Sequence, residues 1–168
     1  TRRQPALAPA SFVTPIAVHE FLATSGMIRD AHFAGVCGGS ALDDEHVGGL
    51  VDTLAADASR RGAAFFFHGH VTALLRRAAT ARGEAGGFEF VDSLPHPPHG
   101  RGVRVWCPDA AGLRACLRWY CAQHLSDDER AWCDAHAWSE ANFESDPRVF
   151  QAFVWQSSAS GEPEEAPR

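Results

Sequence analysis

The 168-residue sequence contains no lysine: all 15 of its basic residues are arginine. A GC-rich codon bias accounts for this most simply, and selection against modifiable lysines is the alternative. Basic charge is also outweighed, since 21 acidic residues leave a formal net charge of -6. That balance argues against a general binder of nucleic acid or of anionic membranes, both of which need a basic field. No stretch approaches the roughly 20 apolar residues that a membrane-spanning helix requires. There is no glycine-rich phosphate loop, no G-x-S-x-G elbow and no H-E-x-x-H pair, so nucleotide hydrolysis and α/β-hydrolase chemistry have little support.

Cysteine is present, but as five residues at irregular positions: 37, 107, 116, 121 and 133. An odd, unevenly spaced set does not make a complete disulfide framework. A reducing, intracellular compartment is therefore expected, cytoplasmic by default. The chain opens on Thr1, so a processed or partial chain is expected, and the lack of a leader proves nothing.

What is present is enough apolar material for one core: 45% hydrophobic residues against 21% charged. Residues 1–10 (TRRQPALAPA) read as a flexible arm, 11–156 as a single folded domain, and 157–168 (SSASGEPEEAPR) as a disordered acidic tail. Within the body, a first helix is expected in 12–27 after Pro15. A second is expected at 41–60, where Ser40 and Asp43 resemble a capping box. Short apolar runs at 63–67 and 70–75, with Gly69 between them, read as strands, as do 88–94 and 103–107. The segment 95–102 (PHPPHGRG) reads as a loop, because three prolines cannot sit in a central strand.

A helix should follow Asp109, with Leu113, Cys116, Leu117, Tyr120, Cys121 and His124 on one stripe. "SDDE" at 126–129 is a capping box for a further short helix, and 145–155 suits a helix first and a strand second. The expected fold is α+β: an antiparallel sheet of three to four strands flanked by helices.

Two constellations carry chemistry. The first is Cys37, His70 and Asp92. A thiol ahead of a helix, an imidazole opening one strand and a carboxylate ending the next could form a nucleophile, a base and an orienting group. Backbone amides of Gly38 and Gly39 would then be the candidate oxyanion donors. The plain alternative makes Cys37 a loop thiol and His70 a core histidine.

The second constellation is Cys121, His124, Cys133 and His136, two ligand pairs at i, i+3 spacing that could hold a tetrahedral zinc. The competing reading makes Cys121 and Cys133 small core residues. The histidines of "HPPH" (96–99) sit in the predicted loop beside Asp92. Trp119, Trp132, Trp138 and Trp155 are most simply core and cap residues, although an exposed subset would mark a partner surface.

The stretch "HVTALLRR" from His70, "FEFVDSLP" with Asp92, and "VRVWC" leading into "AGLRACLRWY" resembles the catalytic half of the papain-like superfamily. Its transglutaminase-like and Josephin-type deubiquitinase members are the nearest in pattern, over roughly residues 60–125. That resemblance implies a papain-like outline and a cysteine-dependent hydrolase or transferase acting on amide or isopeptide bonds, with a ubiquitin-type protein as substrate. Cys37 would be the nucleophile, His70 the base and Asp92 the orienting residue, with no cofactor. The sequence departs from the deubiquitinase pattern in having no Gln in residues 29–36. The alternative it leaves is a catalytically inactive subunit with a protein partner.

Overall fold

A computed structural model describes residues 20–21, 24–25, 32–57, 59–79, 85–96, 100–143 and 145–157. The expected arm at 1–10, most of the expected helix at 12–27 and nearly all of the tail lie outside them.

The elements run β1 (Phe33–Ser40), α1 (Asp44–Ala56), β2 (Arg60–Phe67), β3 (His70–Arg77), β4 (Gly87–His96), β5 (Arg101–Cys107), α2 (Ala110–His124), α3 (Asp127–Ala135), a 3-10 turn (Glu140–Asn142) and β6 (Val149–Gln156). The protein is α+β. Its sheet has six strands in the order β1-β6-β2-β3-β4-β5, and every neighbouring pair is antiparallel. The expectation of three to four strands is thus too small by the two strands nearest the chain ends.

Two segments differ in kind from the expectation. Residues 33–40 form a strand, and the helix after them begins at Asp44 with Asp43, not Ser40, as its N-cap. The glycines of "FAGVCGGS" weaken the strand signal there. Residues 149–156 form β6 and not a helix. As a central strand it buries Phe150, Ala152 and Val154 on one face and Phe153 on the other. Burial on both faces erases the alternation that identifies a strand.

The hairpin β2–β3 pairs Phe67 with His70 and turns through His68 and Gly69. Both turn residues have positive φ, 50° and 73°, as a two-residue hairpin turn requires to match strand twist. At the other end of β2, a Cβ on Gly62 would lie 2.2 Å from the carbonyl oxygen of Leu74, so only glycine fits.

Helices α1 and α2 pack on one side of the sheet. Leu50, Val51 and Leu54 of α1 and Leu113, Leu117 and Tyr120 of α2 share one core with the inward residues Phe65, Phe67, Leu74, Phe90, Phe150 and Val154. Arg60 and Arg76 donate to the carbonyls of Thr53, Leu54 and Asp57 at the end of α1. They satisfy groups the helix itself leaves unbonded. Near the start of β6, Arg148 and Asp146 form a buried two-pronged ion pair at 2.9 and 2.7 Å, and the guanidinium lies over Trp132 and Trp138.

The outward sheet face is apolar. One cross-strand row runs Val36, Phe153, Ala64, Ala73, Val91, ending on Arg104. Small residues in its centre leave an open groove of about 420 Å³, bordered by Val71, Leu75 and Trp155.

Candidate functional site

His70 opens β3 because the tight turn ends one residue before it, and strand alternation then sends positions 70, 72 and 74 toward the helices. The same alternation on β4 turns Phe88, Phe90 and Asp92 to that side. Helix α2 crosses over them and ends on His124. The result is a cluster in which the His70 ring lies 5.0 Å from His124, His124 lies 4.3 Å from Tyr120, and Tyr120 lies 4.9 Å from Phe90.

Asp92 is 1% exposed and accepts a hydrogen bond from the amide of Leu94 at 2.8 Å. Burial, and then the neighbouring Asp92 carboxylate, push the Tyr120 phenol above its ordinary range. Thr72, on the inward face of β3, is also buried, and its hydroxyl finds no partner among the described residues. The end of the sheet beneath α2 therefore holds a polar cluster of His70, Thr72, Asp92, Tyr120 and His124 within an otherwise apolar core. Tyr120 and His124 enter it by their helical spacing on the α2 stripe, which the sequence displays but which reads there as core.

His68 points elsewhere. Its Nε2 lies 2.9 Å from the carbonyl oxygen of Pro147 and 3.7 Å from the Glu129 carboxylate. A carbonyl can only accept, so Nε2 carries the proton and donates. The two histidines of the turn thus serve different contacts, His68 tying the hairpin to the segment before β6 and His70 facing α2.

Cys37 is not part of this cluster. It sits inside β1 opposite Ala152 of β6, half-buried against the core. Ala152 in turn faces Phe65 of β2, which faces Thr72 of β3. Three strand spacings of about 4.8 Å put some 14 Å between β1 and β3, and a fourth puts about 19 Å between Cys37 and the β4 strand carrying Asp92. The buried ring of Phe65 stands in the intervening row. Cys37 also lies seven residues before the first residue of α1, within the ladder and away from the helix N-terminus. A Cβ on the adjacent Gly39 would meet the His46 ring at 2.6 Å, so this glycine is there for close packing.

The other thiols are no better placed for nucleophilic work. All five cysteines are free. Burial raises Cys107, Cys121 and Cys133 above the ordinary thiol range and takes Cys116 to about 12. A thiol held protonated is a weak nucleophile.

The zinc quartet does not converge either. Cys121 is enclosed in the core, His124 packs on Tyr120, and His136 donates from Nδ1 to the Trp132 carbonyl while its ring stacks on that indole. Among the described residues, no group of three or more His, Cys, Asp or Glu side chains could hold a metal ion. Of "HPPH", only His96 is described, and it ends β4. Trp106 and Trp119 are half-exposed, whereas Trp132 and Trp138 pack around Arg148. No helix is long and apolar enough to cross a membrane among the described residues. No family model, no curated protein and no solved structure matches the chain.

Proposed function

We propose that this domain is a catalytically inactive interaction or structural subunit, papain-like in outline, whose partner is a protein. One observation carries the reading: the half-buried thiol of Cys37 stands about 14 Å or more from the strand of His70, with two strands between. General-base activation of a thiol needs hydrogen-bond reach, near 3 Å or one water further. Two further features support it. The remaining thiols are kept protonated by burial, and the outward sheet face offers an apolar surface with Val36 and Val71 about half exposed.

A specific observation favours a second reading, the cysteine-dependent hydrolase or transferase acting on amide or isopeptide bonds. His70 and Asp92 lie on adjacent antiparallel strands and face the same side, as a base and its orienting carboxylate would. Treatment with ubiquitin-based and peptide-based thiol-reactive probes separates the two. The proposal expects neither probe to label Cys37 beyond the level of an ordinary exposed thiol. Stoichiometric probe labelling that disappears in both Cys37→Ala and His70→Ala contradicts it.

A further inference from the structure

Four of the chain's arginines meet at one end of the sheet. β2 begins with Arg60 and Arg61, and its antiparallel neighbour β3 ends with Arg76 and Arg77. Together they line a cavity of about 430 Å³ whose apolar walls include Phe88 and Pro108. Like charges gathered on neighbouring strands repel, so such a set needs counter-charge.

The protein supplies part of it. Arg60 and Arg76 are engaged through Nη1 with the carbonyls ending α1, and Arg77 donates through Nε and Nη2 to Glu89 at 2.9 and 2.7 Å. The described carboxylates that interact with these arginines are Asp57 and Glu89, and Glu89 is shared with Arg104. With Arg104, five guanidiniums draw on these two described carboxylates, a positive surplus in a chain whose net charge is negative. Donors are also left over: Nε of Arg60 is buried without a hydrogen-bond partner, and Arg61 makes no hydrogen bond or ion pair among the described residues.

We propose that this cavity is a binding site for a small phosphate-bearing ligand, held by the guanidiniums of Arg61 and Arg60 with Arg77 at its rim. The surplus of positive charge suits a phosphate group, which carries about -1.5 to -2 near neutral pH, better than it suits a lone carboxylate. The planar guanidinium presents paired donors that fit phosphate oxygens. The apolar walls suit an organic body attached to the phosphate. The site is some distance along the sheet from the His70–Asp92 cluster, at the opposite end of β3, and does not depend on whether that cluster is catalytic.

The test uses the full chain and inorganic pyrophosphate, at fixed ionic strength, read by melting midpoint and titration calorimetry. Pyrophosphate should raise the midpoint saturably, as any ligand of the folded state does. Arg61→Gln is exposed and breaks no described contact, and it should weaken the dissociation constant about tenfold, the size expected for losing a charge-assisted hydrogen bond. Arg118→Gln, a surface arginine of α2 paired with Asp44, should leave the constant unchanged. No saturable response to pyrophosphate overturns the proposal, as does an equal response from Arg61→Gln. Stabilisation by citrate with none by pyrophosphate overturns the phosphate assignment.

Discussion

Arg148 holds the chain together where it enters β6. Its guanidinium pairs with Asp146, donates to the His136 carbonyl at 2.9 Å, and lies over two tryptophans. Both members of the pair are buried, so deleting one strands the other's charge in the core. Arg148→Ala should cost about 3–5 kcal/mol in chemical denaturation. Burial alone would raise the Asp146 carboxyl, but the hydrogen bonds and charge of Arg148 outweigh it and hold the group below its usual value. A carboxyl depressed on folding adds stability above its unfolded pKa, near 4, and loses it as the pH falls toward the folded value. Glu89, lowered by Arg77 and Arg104, acts in the same direction. Melting midpoints should therefore fall steeply below about pH 4, and Asp146→Asn should shallow that acid limb while lowering the midpoint at neutral pH.

Among the elements, α3 is the most local in origin. Ser126 and Glu129 close a full capping box, each side chain bonding the other's backbone amide. Ser126→Ala should destabilise the protein by about 1 kcal/mol, measured by urea unfolding. This helix, α2 and the strands β2 to β5 are all legible in the sequence, because caps, turns and alternation lie within a few residues of one another. The opened end of β4 is a small exception: pairing with β5 carries it to His96, across Pro95, where the sequence reads loop. β1 and β6 are illegible for physical reasons. The glycines at 35, 38 and 39 erase the side-chain pattern of β1, and the two buried faces of β6 make it read as a helix.

At the scale of the whole molecule, the order of the strands decides the chemistry. The passage from β1 through α1 to β2 leaves a slot between two parallel strands, and β6 returns from the far end of the chain to fill it. Nothing local encodes that insertion, so Cys37 and His70 look like neighbours in a linear reading and stand several strands apart in the sheet. His70 and Asp92 lie in the locally determined β3–β4 hairpin, which is why that half of the candidate site was readable. Tyr120 and His124 were hidden on the α2 stripe, where they resemble core.

The most direct measurement is the titration of the His70 imidazole by NMR in the wild-type protein and in Cys37→Ala. Removing a thiol paired with that ring would displace its titration curve, whereas removing a group some 14 Å away across a packed core would not. The account predicts superimposable titration curves. A displaced His70 curve in Cys37→Ala would contradict it.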